Sequence, residues 1–311
     1  MKISEKDKNI FVAGHKGMVG SAIIRNLKGK EGLNIITKKR SQLDLTNSNL
    51  TSEFIQDENI NIIINAAAKV GGILANDRYP YDFIMNNLKI QNNLIDAAVN
   101  CKMEKFIFLG SSCIYPKHSA QPIKEEYLLT GPLEPTNQWY AIAKISGIMA
   151  CMAAKKQYGL SAVSLMPTNL YGTNDNFDLT TSHVLPAMIR KFHEAKIDQS
   201  DVKLWGTGNP FREFLFVDDL AYAVSFVLDH NLTEDIYNVG FGEDISINKL
   251  ARLVQKIIGH KGRIIWDESK PDGTPKKLMD SSKLMQLGWK PMVNLSDGIE
   301  KTYEWFKTKY K

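Results

Sequence analysis

Through its first 166 residues the chain alternates short, continuous apolar runs with helical stretches, and this alternation restricts it to one broad architecture. The runs Asn9–Ala13, Asn34–Thr37, Ile60–Ala67, Lys105–Gly110 and Ser161–Met166 read as strands, and Ser21–Leu27, Tyr81–Asn100 and Tyr140–Tyr158 as helices. A run that is apolar at every position suits a strand covered on both faces, which a parallel sheet between two helix layers provides. The expected fold class is α/β: a doubly wound parallel sheet, Rossmann-like, with a smaller C-terminal α/β substrate domain. Beyond Met166 the pattern loosens. Pro167–Thr181 reads as loop, and Lys270–Pro275 as a turn-rich loop. Helices are expected at Val184–Ala195, Asp219–Leu228, Asn248–Ile258, Ser281–Leu287 and Leu295–Thr308, and strands at Val202–Trp205, Phe214–Val217 and Arg263–Trp266. Phe214–Val217 with the helix after it is expected to return to the main sheet. The domains then run 1–170 plus about 211–240 for the cofactor, and about 171–210 plus 241–311 for the substrate.

With 43% hydrophobic and 23% charged residues, the chain has the make-up of a soluble globular protein. The net charge is +5, but the cations are scattered and the densest groups, Lys38–Arg40 and Lys276–Lys277, are short. Such groups suit a phosphate and not a long polyanion, so no nucleic-acid partner is expected. Three cysteines without a CxxC and six histidines without an HExxH give neither a disulfide framework nor a metal site. The polar N-terminus has no apolar core segment, and no run approaches the roughly 18 residues that span a bilayer. No membrane association is expected, and the expected location is the cytoplasm.

Gly14, Gly17 and Gly20 form GxxGxxG between the first strand and the first helix. Glycines there allow a tight turn and the close approach of a pyrophosphate to a helix N-terminus. The end of the second strand discriminates between cofactors. A carboxylate there would take the ribose 2′-hydroxyl of NAD, but the chain reads Thr37-Lys38-Lys39-Arg40, with Lys16 inside the glycine loop. Cations at these places suit a 2′-phosphate, and the expected cofactor is NADP(H).

Two Tyr-x-x-x-Lys pairs occur. On a helix this spacing stacks both side chains on one face. Tyr303 and Lys307 lie in an amphipathic segment with Trp305 and Phe306 and read as a packing pair. Tyr140 and Lys144 follow a Pro/Asn loop and a buried strand ending in Ser111 and Ser112, and strand C-terminal ends are where open α/β sheets bind ligands. A nearby ammonium is expected to lower the phenol from its usual value near ~10, towards proton transfer at neutral pH. Ser111 would hold the carbonyl oxygen at the same point. Ser111 and Cys113, two apart, face the same side if extended, and a thiol beside a cation can act as a base.

Gly14 to Gly20, Asn65-Ala-Ala67, Ser111, Tyr140 and Lys144 together resemble the extended short-chain dehydrogenase/reductase family. Longer stretches narrow the likeness: GHKGMVGSA (14–22), AAAKVGGI (66–73), LGSSCIYP (109–116), LEPTN (133–137), YAIAKI (140–145), MPTNLYG (166–172), NDNF (174–177), SHVLPAMIRKFHEA (182–195), WGTGNPFREFLFVDDL (205–220) and SKPDGTPKKLMD (269–280). They resemble the branch that inverts C3 and C5 of GDP-4-keto-6-deoxy-D-mannose and reduces C4 with NADPH, giving GDP-L-fucose. Related dehydratases carry an acidic pair just after the serines, where this chain has Cys113 and Ile114.

The resemblance implies Cys113 as the base and His183 as the acid of epimerisation, with Ser111, Tyr140 and Lys144 serving the reduction. It implies a cofactor site built from Gly14, Lys16, Gly17, Met18, Val19, Gly20, Lys38, Arg40, Leu109, Pro167, Asn169, Leu170 and His183, with Ser111, Tyr140 and Lys144 alongside. Arg212 and Trp205 suit phosphate and base or ribose contacts, and Lys277 is a further phosphate candidate. Lys191 stands where relatives carry arginine, so it keeps the charge but not the fork. His183 could otherwise cap the helix that follows it. A homodimer is implied. The competing readings are an NADP-dependent nucleotide-sugar 4-epimerase or 4-reductase that leaves C3 and C5 alone, and a non-catalytic cofactor-binding regulator, a class that tends to lose the Tyr and Lys present here.

Overall fold

The computed structural model describes residues 7–270 and 272–310; most of the polar N-terminus and Pro271 of the turn-rich loop lie outside them. In chain order the first half runs β1 (Lys8–Ala13), α1 (Met18–Leu27), β2 (Leu33–Ile36), α2 (Ser48–Asp57), β3 (Ile62–Asn65), α3 (Ile73–Arg78), α4 (Pro80–Asn100), β4 (Lys105–Leu109), α5 (Gln138–Tyr158) and β5 (Ala162–Pro167). Then follow β6 (Asn169–Tyr171), α6 (Val184–Asp198), β7 (Val202–Trp205), β8 (Phe211–Phe216), α7 (Val217–Asp229), β9 (Ile236–Val239), β10 (Asp244–Ser246), α8 (Ile247–Ile258), β11 (Ile264–Asp267), β12 (Lys276–Lys277), α9 (Ser282–Gln286) and α10 (Leu295–Lys309).

Six parallel strands form the main sheet in the order β2-β1-β3-β4-β5-β9. The two-residue period of a strand sends alternate side chains to opposite faces. Phe11, Ile63, Phe106 and Phe108 therefore join one core under α2, α4 and α5. Ile10, Val12, Ile64, Ile107 and Leu109 join a second core under α1 and α7. Burial on both faces accounts for the continuous apolar runs. From β1 the sheet grows outward in both directions, through β2 on one side and β3 on the other. That makes the C-terminal ends of β1 and β3 the switch point where such sheets bind ligands.

Several elements depart from the sequence expectation, among them β6, a short strand within the segment expected to be loop. Residues between Thr37 and Ile60 carry α2, which starts at Asn47; its side chain accepts from Leu50 N at 3.1 Å. The strand near Phe214 does not return to the main sheet. β8 instead centres a smaller sheet, pairing with β10, β12 and β6. The strand that completes the main sheet is β9, beside β5. Buried Asn238 holds it in place: its Nδ2 donates to Ile123 O at 3.0 Å and to Asp280 O at 3.1 Å, and its Oδ1 accepts from Tyr115 OH at 2.7 Å. A third core, with Phe177, Phe192, Phe214, Val254 and Phe306, lies among α6, α8 and α10. Among the described residues no helix is long and apolar enough to cross a membrane.

Candidate active site

The glycine loop leaves β1 at the switch point. Gly14 has φ +80°, a backbone region that costs side-chain-bearing residues energy, and a Cβ there would lie 2.6 Å from Ala66 O at the end of β3. A Cβ on Gly20 would press into the Gly14 backbone, whereas one on Gly17 would meet nothing nearer than Gly14 O at 3.5 Å. The loop is thus tight beneath and open outward at Gly17. Gly17 is also the N-cap of α1, with no side chain to satisfy the first N–H groups and no acid in the first turn. Such an end is a ready anion site, and it fits a pyrophosphate. Met18 and Val19 form the first turn above it. Asn174 braces the loop from outside, donating from Nδ2 to Lys16 O at 2.8 Å. The sequence reading assigned Asn174 no role, because nothing local shows a contact with a loop so far away in the chain.

The cations near this loop are not equivalent. Lys38 pairs with Glu58 at 2.8 Å and lies 5.4 Å from the centre of the Phe54 ring, so α2 holds it. Burial, and then the charges of Lys16 and Lys39, lower the pKa of His15. Arg40 is exposed, with Asp44 within reach of its field. The cluster open to a phosphate is therefore Lys16, Lys39 and Arg40, with Lys38 already engaged.

Ser111 and Cys113 follow β4, but not as an extended pair. Residues Ser112–Ile114 form a single 3-10 turn capped by Ser111, whose Oγ accepts from Cys113 N at 3.3 Å. The tight turn, and not strand alternation, sets the relation of the two residues. Cys113 is 8% exposed. Burial pushes its thiol up, and Lys277 is the strongest opposing influence, ahead of Ser111 and Lys144.

Helix α5 brings Tyr140 and Lys144 to the same place. It lies close on β4 because residue 147 is glycine: a Cβ there would run into Phe108 and come within 2.9 Å of Gln91 Cδ. Lys144 is 3% exposed, and its Nζ donates to Leu109 O at 2.7 Å. Its ammonium also sits 4.8 Å from the Phe108 ring centre and 5.8 Å from that of Tyr140. Burial lowers Lys144 to about 8, with Cys113 pulling the other way. Tyr140 behaves opposite to the sequence expectation. Burial, then Cys113, push its phenol above the ordinary value, and Lys144 does not bring it down, because the ammonium faces the ring and a carbonyl. Gly147→Ala is expected to cost about 1–3 kcal/mol by forcing α5 off β4, read as a lower urea midpoint together with lower turnover.

His183 is the N-cap residue of α6, but its side chain makes no capping hydrogen bond and is exposed. Burial of its surroundings and then Lys277 lower its pKa. The preceding turn is tied by Asp178, whose Oδ1 accepts from Thr180 N and Thr181 N, both at 3.0 Å. Gly72 N donates to Thr181 O at 2.9 Å, which joins this turn to the loop after β3. Pro167 ends β5, while Asn169 and Leu170 lie on β6, where Asn169 Nδ2 donates to Glu213 O at 2.8 Å.

The remaining cations divide between two places. Trp205 is 51% exposed at the end of β7, with Lys191 Nζ 5.9 Å and Lys270 Nζ 5.7 Å from its ring centre. Lys191 Nζ also donates to Lys203 O at 3.0 Å. Arg212 and Lys277 are register partners on β8 and β12. Arg212 Nη1 donates to Phe211 O at 2.7 Å and to Thr274 O at 2.5 Å. Lys277 lines a small cavity with Cys113, Glu134 and Asn137. The Tyr303–Lys307 pair stays apart from all of this: Tyr303 OH meets His193 Nδ1 at 3.0 Å and Lys307 pairs with Glu304 at 2.8 Å, within the third core.

A glycine loop at the switch point of a parallel sheet, with Ser, Tyr and Lys at the next strand ends, defines a dinucleotide-binding α/β protein equipped to handle a carbonyl group. The chain belongs to the NAD dependent epimerase/dehydratase family, whose model matches residues 10–240. It is 54% identical over 305 residues to GDP-L-fucose synthase 1 of Arabidopsis thaliana, a match covering 98% of this chain and 94% of that one. It is 48% identical to the GDP-L-fucose synthase of Escherichia coli (strain K12), covering 96% of each. Its fold matches that of a GDP-L-fucose synthetase from Naegleria fowleri bound to NADP with a TM-score of 0.89 at 26% identity, covering 98% of this chain and 95% of the other.

Proposed function

We propose that this protein converts GDP-4-keto-6-deoxy-D-mannose to GDP-L-fucose, by inversion at C3 and C5 followed by NADPH-dependent reduction at C4. The observation that carries the reading is the placement of Cys113 next to Ser111, Tyr140 and Lys144, in a chain alike along nearly its whole length to proteins named GDP-L-fucose synthase. A plain reductase needs no thiol at that point.

The chemistry follows from the substrate. The hydrogens at C3 and C5 flank the C4 ketone, so removing either leaves an enolate whose charge sits on O4. Cys113 takes the proton as a thiolate, and Ser111 and Tyr140 hold O4 while the charge develops. His183 returns a proton on the opposite face, which inverts the carbon. When bound, NADPH supplies the hydride to C4. Tyr140 donates the proton to O4, and a phenol kept neutral by burial is in the right state for that. Lys144 fixes the geometry through Leu109 O and keeps a positive charge near the developing oxyanion. Trp205 and Lys191 receive the nucleotide, and Arg212 a phosphate.

In deuterated water with NADPH, the keto-sugar nucleotide should be consumed with loss of NADPH absorbance and with deuterium at C3 and C5 of the product. Unchanged absorbance would end the enzyme reading. Preference for NADPH over NADH rests on Lys16, Lys39 and Arg40. Arg40→Ser is expected to weaken NADPH binding about tenfold, one lost charged contact, while leaving NADH binding as it was. Equal losses for the two cofactors would remove Arg40 from the 2′-phosphate.

A homodimer belongs to the same reading. Trp139, Ile142 and Met149 form an exposed apolar stripe along α5, at 39%, 37% and 42% exposure, and a second copy of the same helix can cover it. Met149→Glu is expected to halve the sedimenting mass; a native protein that sediments as a monomer would refute the dimer.

A further inference from the structure

We propose that Lys277, fixed by strand pairing on the cavity that Cys113 lines, is the counter-ion of the epimerisation base. The proposal deepens the functional reading above and rests on it for the role of the thiolate. Lys277 was expected from sequence only as a phosphate contact.

The backbone around Lys277 is held on all sides. Lys277 is in register with Arg212 on β8. Leu278 N donates to Gln121 Oε1 at 2.8 Å, Met279 N to buried Glu213 Oε2 at 3.0 Å, and Leu278 O accepts from Ile123 N at 2.7 Å. The side chain enters the cavity that Cys113 lines. Among the described residues no carboxylate pairs with it, and Glu134 in the same cavity is held by Lys117 at 3.0 Å. Cys113 is faced by Lys277 from β12, Ser111 from its own turn, and Lys144 and Tyr140 from α5. Lys144 is committed to Leu109 O. Burial lowers the pKa of Lys277 itself; Cys113 opposes this, Arg212 adds to it, and Glu134 opposes it. Burial raises the Cys113 thiol, and the Lys277 ammonium opposes that.

The ammonium then assists the first half of an inversion. It favours the thiolate, which removes the C–H proton while the electron pair moves onto O4. His183 returns a proton to the same carbon from the other face. The ketone re-forms, the thiol passes its proton to solvent, and no redox change occurs.

The test is the pH dependence of Cys113 alkylation by iodoacetamide in the full chain without sugar nucleotide, read on the Cys113 peptide by mass spectrometry. Lys277→Met and Lys277→Gln are expected to raise the midpoint by about one pH unit, the scale of a nearby opposite charge, and Lys277→Arg to keep it near the native value. Cys151, 2% exposed, should stay unreactive in each and so reports an intact fold. With substrate, the acidic limb of the pH profile for solvent exchange at C3 should move to higher pH in the neutral variants. An unchanged alkylation midpoint in a folded neutral variant overturns the proposal and leaves Lys277 a phosphate contact. Alkylation needs no sugar nucleotide, so its result stands apart from whether the substrate assignment holds.

Discussion

Cys113→Ala is expected to abolish uptake of solvent deuterium at both C3 and C5, a loss of at least about 10³-fold, because general acid–base groups contribute roughly 10²–10⁴ to a proton transfer. The same variant should bind NADPH as the native protein does. The glycine loop lies between β1 and α1, away from the thiol, and the Ser111 cap accepts from the backbone N–H of residue 113, which alanine keeps. Losing one sulfur from a residue already 8% exposed leaves a gap that the pocket can fill with water, so the fold should persist. The expected product mixture is informative in itself: with C3 and C5 unchanged, any reduction yields the uninverted 6-deoxy sugar. Normal deuterium uptake in this variant would defeat the assignment and favour a 4-reductase without epimerisation.

Tyr140→Phe should give the complementary result. Reduction at C4 is expected to fall by about 10²–10⁴-fold, while exchange at C3 and C5 continues at a diminished rate and the inverted keto sugar accumulates. Phenylalanine preserves the ring over which the Lys144 ammonium sits at 5.8 Å, and Lys144 is anchored independently at Leu109 O, so the site's framework stays. What is lost is a proton donor that burial keeps in its neutral form. An ionised phenolate would predict that turnover rises with pH through the tyrosine titration. A neutral phenol predicts no such rise below the Lys144 value of about 8, and above it a decline as the ammonium, whose pKa burial has lowered, gives up its charge. The two variants together separate the half-reactions: one should lose exchange with the cofactor site intact, the other should lose reduction while a slower exchange persists.

Some of this was readable before any coordinates. The strands after which the chemistry sits are apolar at every position because both faces of the sheet are covered, so β1, β3, β4 and β5 stand out locally. Tyr140 and Lys144 share a helix face by spacing alone. Other features have no local signal. β8 and β9 are short apolar segments of the same kind, and only their partners distinguish them: β8 pairs with Lys276 and Lys277 from far along the chain, whereas β9 is fixed by Asn238 against Ile123 and Asp280. Gly147 reads as an ordinary helix residue until Phe108 and Gln91 are seen pressing on it. Along the chain Lys38 is indistinguishable from Lys39 and Arg40; only the fold shows that Glu58 pairs with it.

By itself, then, the order of residues determined the period of each element, the glycine loop at a strand-to-helix turn, and which side chains share a turn of helix, since these depend on backbone geometry over a few residues. Tertiary structure alone decided which charges meet. The direction of the Tyr140 shift, the turn joining Ser111 to Cys113, and the arrival of Lys277 beside that thiol all depend on burial and on segments remote in sequence. Desolvation and Coulomb interaction act across space, and a spacing along the chain does not encode them.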